Sequence, residues 1–176
     1  YQKIVLIGVA PDRVDALLDR LDEIGLSARP SNWRRNTMAC TGIEFCKLAI
    51  VETKERAIRL VEELEKRLAD VHPDVPISIH LNGCPNACAR TQVADIGLKG
   101  MIVTDADGNQ VEGFQVHLGG GLGLDAGFGR KLRGLKVTSA ELGDYVDRLV
   151  RRFDEQREVG ERFAQWVVRA AEVAAP

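Results

Sequence analysis

All four cysteines of the chain fall into two short pairs, Cys40 with Cys46 and Cys84 with Cys88. The pairs have the form C-x5-C and C-x3-C and are separated by 37 residues. Four thiolates brought together from two loops would hold a soft metal ion or a cubic iron–sulfur cluster. Structural zinc sites usually leave roughly two to four residues between paired cysteines, so the first gap lies outside that habit. A [4Fe–4S] cluster takes looser gaps, and a proline after a ligand cysteine, as at Pro85, is familiar from ferredoxin runs. Disulfides need an oxidising compartment, and no charged stretch followed by an apolar one suggests export. On spacing alone the cluster leads, with zinc and disulfides as the alternatives.

The residues around the second pair read Asn82-Gly83-Cys84-Pro85-Asn86-Ala87-Cys88. Gly83 and Pro85 favour a turn in which amides near Cys84 point inward. Amides that donate to cluster sulfurs tune the reduction potential. Asn82 and Asn86 tolerate turn conformations and add donors. Further on, Gly119-Gly120-Gly121-Leu122-Gly123 is a flexible run, followed by the basic residues Arg130, Lys131, Arg133 and Lys136. His117 alternates with Val116 and Leu118 and is expected to line the core or a pocket. His72 in a loop and His80 on the strand entering the second pair are expected to be structural.

The elements that must position these residues follow from periodicity. Lys3–Val9 predicts a short buried strand. Pro11 starts a helix with Val14, Leu17, Leu18, Leu21 and Ile24 at helical spacing, and Gly25 stops it. Cys40–Cys46 is a loop. Thr53 is expected to cap a helix whose stripe is Ala57, Ile58, Val61, Leu64 and Leu68. Asp70–Pro76 is a turn, and Ile77–Leu81 a strand that delivers Cys84. Ala94–Val103 and Val111–Leu118 predict a hairpin closed by Asp107-Gly108. Thr138 to Glu141 opens a helix with Leu142, Tyr145, Val146 and Leu149 on one face. A last helix from about Gly160 carries Phe163, Trp166, Val167 and Ala170 on the side expected to dock on the body. The result is an α+β protein with a small mixed sheet and flanking helices.

Composition sets the limits. With 176 residues, 45% hydrophobic content and 28% charge, the chain suits an ordinary globular domain or one and a half. A net charge of −2 gives no field for nucleic acid, and the 5% aromatic content argues against base stacking. No apolar run approaches the length of a membrane span. No flavin or nicotinamide fingerprint appears. The expected location is cytoplasmic.

The pattern Cys40-Thr-Gly-Ile-Glu-Phe-Cys46, followed by Asn82 to Arg90 with the lead-in Arg34 to Ala39 and the downstream His117-Leu118-Gly119-Gly120, resembles the sirohaem-dependent sulfite and nitrite reductases. The likeness is greatest to the ferredoxin-dependent sulfite reductases of actinobacteria and runs from about Ile4 to about Ala164. The resemblance implies that Cys40, Cys46, Cys84 and Cys88 bind a [4Fe–4S] cluster. It implies that Cys88 is also the proximal ligand of the sirohaem iron. Sirohaem bears many carboxylates, so Asn82, Asn86, Arg90, Gly119, Gly120, Arg130 and Lys131 are the candidate cofactor contacts.

The same resemblance divides the chain into a ferredoxin-like half-domain piece at 1–36, a sirohaem and [4Fe–4S] domain at 37–154 and a C-terminal helix at 155–176. The start at Tyr1 rather than Met fits the C-terminal part of a longer enzyme. Its partners are then the N-terminal half of that enzyme, a ferredoxin-type donor and sulfite or nitrite, with no nucleic acid and no membrane. The implied reaction is six-electron reduction of sulfite to sulfide. Nitrite reduction to ammonia and a non-catalytic electron-transfer module are the alternatives. No catalytic residue is identifiable here, because the family's anion-binding groups lie in the other half; this chain alone is expected to turn over poorly.

Overall fold

The computed structural model describes residues 3–71, 74–123 and 127–170. His72 lies outside the described residues. Five strands form one mixed sheet in sequential order: β1 (Thr37–Ala39), β2 (Ile79–Asn82), β3 (Ile96–Thr104), β4 (Gln110–Leu118) and β5 (Arg130–Thr138). β1, β2 and β3 run parallel, and β3, β4 and β5 antiparallel. The turn of the β3–β4 hairpin is built as its sequence requires. The Asp105 carboxylate accepts from the amides of Asp107 and Asn109, and Gly108 takes φ 86°.

Alternation along the strands gives the sheet two unlike faces. Ile79, Leu81, Ile96, Leu98, Phe114, Val116, Leu118, Leu132 and Val137 point one way into a continuous core. The helices α3 (Lys54–Arg67), α4 (Leu142–Gln156) and α5 (Phe163–Arg169) cover that face. α3 contributes Ala57, Leu60, Val61 and Leu64; Ile58, expected on that stripe, is exposed. α4 contributes Leu142, Val146, Leu149, Val150 and Phe153. The Phe153 ring stands 5.3 Å from Phe163 and 5.5 Å from Trp166, so α5 docks through aromatic edges. Ion pairs join α4 to the end of α3 and the turn after it: Arg67 with Asp144, and Arg151 with Asp70 at 2.9 Å.

Ahead of the sheet lie α1 (Val14–Glu23), preceded by a 3₁₀ turn at Pro11–Arg13, and α2 (Asn32–Asn36). α1 ends at Gly25, with φ 76°, but buries none of its residues. Ser31 caps α2 through the Arg34 amide, and Trp33 enters the core. One expectation fails here. Lys3–Val9 forms no strand, and Ile4 and Ile7 are 77% and 88% exposed. An apolar run is buried only where a neighbour covers it, and among the described residues no strand pairs with this one.

Candidate metal centre

β1 and β2 are parallel neighbours with Ala39 opposite Leu81, so both chains leave the sheet at the same end. The Cys40 amide continues the ladder by donating to the Leu81 carbonyl at 2.9 Å. Cys40 therefore emerges beside Gly83, whose amide donates to Cys40 Sγ at 3.1 Å. The Gly83 carbonyl accepts from the amides of Ile50, at 2.7 Å, and Val51, at 3.2 Å. That one residue ties the far end of the Cys46 loop to the start of the Cys84 loop. A β-carbon on Gly83 would lie 2.9 Å from the Val51 carbonyl oxygen, so only glycine fits.

The first loop turns at Gly42, whose carbonyl accepts from the amides of Phe45 and Cys46. The second is strapped from inside by Asn82, which is fully buried. Its Nδ2 donates to the Cys84 carbonyl at 3.3 Å, and its Oδ1 accepts from the Ala89 amide at 2.6 Å. Ala87 and Arg90 adopt φ 57° and 55°, conformations that side chains with a β-carbon avoid at a cost of about 1–2 kcal/mol each. The loop then runs back over the sheet's second face. His80 Nδ1 donates to the Arg90 carbonyl at 3.1 Å, which fixes the hydrogen on that nitrogen. Burial holds His80 below its ordinary pKa, so the neutral ring makes this bond.

The thiols differ in exposure: Cys84 is buried, Cys40 and Cys46 half-buried, and Cys88 exposed. No disulfide joins them. Among the described residues no three His, Cys, Asp or Glu side chains gather to hold a single ion. A cubane takes one thiolate on each of four irons, so its four sulfurs stand farther apart than the ligands of a single ion. Four thiols on two loops sharing one anchor, with an amide already aimed at one sulfur, fit a [4Fe–4S] group.

The other predicted residues fall into three groups. Asn82 is a brace, with its carbonyl and one amide hydrogen engaged inside the loop. Gly119 and Gly120 spend their amides within the protein, on Asp95 and Ala94 carbonyls at 2.9 and 3.0 Å. A β-carbon on Gly120 would strike the Gln92 carbonyl at 2.5 Å, so packing accounts for that glycine. Asn86, Arg90, Arg130 and Lys131 are exposed. Arg130 and Lys131 lie on β5, where the sequence shows only a basic cluster after a glycine-rich run.

Register places Lys131 opposite His117, and His117 opposite Gly97. Lys99 shares this second face, and burial together with the Lys99 and Lys131 charges lowers the His117 pKa. No motif marks Lys99; its signal in the sequence is that it interrupts the apolar run of β3. Thr53 was expected to cap α3 and does not. Glu52 does so instead, accepting from the Lys54 and Arg56 amides at 3.0 and 2.9 Å.

A mixed sheet with helices on one face and a four-cysteine double loop at the end of its parallel strands defines an iron–sulfur domain. The profile described as "Nitrite and sulphite reductase 4Fe-4S domain" matches residues 31–172, and the chain belongs to that family. It is 62% identical over 174 residues to a Mycobacterium tuberculosis sulfite reductase [ferredoxin], covering 98% of this chain and 31% of the relative. A chloroplastic ferredoxin–nitrite reductase of Zea mays is 46% identical over 127 residues, covering 71% of this chain and 22% of the relative. The solved structure of the Mycobacterium tuberculosis NirA protein superposes with a TM-score of 0.95 at 61% identity. It covers 99% of this chain and 32% of that one. The chain thus spans about a third of the relatives it matches.

Proposed function

We propose that this chain holds the coupled [4Fe–4S] and sirohaem centre of a ferredoxin-dependent reductase that takes sulfite to sulfide. The observation that carries the reading is the graded exposure of the four thiols around one anchor. Cys40, Cys46, Cys84 and Cys88 are the cluster ligands. Cys88, the exposed thiol on the strained loop, is the one placed to ligate a second metal as well. Sirohaem, when bound, would supply the iron that binds the anion, with the electrons for its reduction coming from the donor protein through the cluster.

The chain's own residues do the rest. The Gly83 amide donates to the Cys40 sulfur and keeps the loop in register. Arg90, Lys99 and Lys131 supply cations for macrocycle carboxylates on the sheet's second face, whereas Arg130, paired with Leu118, lies on the helix-covered face. His117, held neutral beside Lys99 and Lys131, offers a hydrogen bond without adding charge. Sulfite is favoured over nitrite because the relatives named as sulfite reductases are more similar than those named as nitrite reductases. A ferredoxin-type donor and the remaining part of the enzyme are the proposed partners, in the cytoplasm, where thiolates persist.

The test is iron, acid-labile sulfide and the visible spectrum of the full-length enzyme purified without oxygen. About four irons and four sulfides, one further haem iron and a Soret-type band support the reading. Cys88→Ser is expected to shift or abolish that band. A cluster with no haem band would leave an electron-transfer module, and zinc without sulfide would overturn the cluster.

A further inference from the structure

Thr53 is a fully buried polar side chain with no part in the helix it precedes. Its hydroxyl donates to the Cys40 carbonyl at 2.9 Å and lies 3.6 Å from Cys40 Sγ, within reach of that larger atom. The space is kept by Gly42, where a β-carbon would come within 2.6 Å of Thr53 Oγ1. On the same sulfur, the Gly83 amide already donates at 3.1 Å. Glu52 has taken over the capping of α3, which leaves the hydroxyl available to the cysteine.

A thiolate sulfur can only accept hydrogen bonds, and a hydroxyl is a rotor. Thr53 can therefore turn its hydrogen from the Cys40 carbonyl to the Cys40 sulfur without moving a heavy atom. We infer that Thr53 raises the reduction potential of the centre by donating to the Cys40 thiolate alongside the Gly83 amide. This rests on Cys40 being a cluster ligand. The step is one electron added to the cluster from the donor protein, with no bond made or broken and no proton transferred. The added charge spreads onto the thiolates, so a donor there stabilises the reduced form more than the oxidised form. Thr53 acts through Cys40 as a positioning residue.

The experiment is an EPR-monitored redox titration of the full-length enzyme with Thr53→Val, Thr53→Ser and Thr53→Ala. Val keeps the shape and removes the donor; its midpoint is expected to fall by a roughly tenfold change in the reduction equilibrium, about 59 mV for one electron. Ser retains the donor and is expected to hold the wild-type midpoint. Ala is the second donor-free variant and is expected to fall with Val, deciding the question should Val fail to hold a cluster. A midpoint unchanged or raised in a donor-free variant that keeps its iron and sulfide overturns the inference. A Cys40→Ser enzyme with its full cluster and an unaltered spectrum would instead overturn the ligand assignment beneath it.

Discussion

Asn82→Ala removes the strap of the cysteine loop while touching no thiol. The side chain satisfies two backbone groups, the Ala89 amide at 2.6 Å and the Cys84 carbonyl at 3.3 Å. Both belong to buried residues. A buried backbone group left without a partner costs about 1–3 kcal/mol, so the folded loop would lose about 2–6 kcal/mol. The loop lies at the rim and can open to water, which caps the loss at the cost of opening. We therefore expect about 2–3 kcal/mol of lost local stability, equivalent to roughly 30- to 150-fold faster exchange of the Ala89 amide. Hydrogen exchange on the cluster-free protein reads this without interference from iron loss. Amides of β3 should keep their protection, since the core is untouched. An Ala89 amide whose exchange in the variant stays within about threefold of wild type would refute the strap.

Three further outcomes are expected. Phe153→Ala empties the centre of the aromatic trio that docks α5 and should lower stability by about 3–5 kcal/mol, read as a shift in urea midpoint. Gly97→Ala would place a β-carbon 2.0 Å from the Thr91 carbonyl oxygen, so the turn beyond Arg90 must lift; iron content should fall while far-ultraviolet circular dichroism stays unchanged. Burial lowers the His80 pKa, so its contribution to stability is present above the ordinary histidine value of about 6.5 and is lost as pH falls through the depressed one. Urea unfolding followed by the buried Trp33 and Trp166 should show His80→Asn losing less stability than wild type between about pH 7 and pH 5.

The parts of the fold visible in the sequence were those with a strong local signal. The hairpin at Asp107-Gly108, the stripe of α4 and the aromatic face of α5 all form where periodicity placed them. β1 was missed because three residues carry no period, and β5 because Arg130 to Lys136 is a basic edge strand. Edge strands use charge to discourage pairing, so such a segment does not look like a strand. Lys3–Val9 misled for the opposite reason: its composition suits a buried strand, and burial depends on a neighbour that local sequence does not report. At the centre, the cysteines were legible from spacing; Asn82 and Thr53 stood out too, but as a cofactor contact and a helix cap, not as the loop brace and the partner of Cys40 that they are. Nothing in Thr53-Lys54-Glu55-Arg56 announces that Glu52 will cap the helix and free the threonine for Cys40.

None of the four cysteines belongs to the continuous core that the inner sheet face forms with α3, α4 and α5. The scaffold can therefore close before any iron arrives. The loops that carry the thiols lie at the rim, with Cys88 and Phe45 exposed in this chain. Loss of the cluster is therefore expected to leave this core standing, read as far-ultraviolet circular dichroism unchanged after iron is removed.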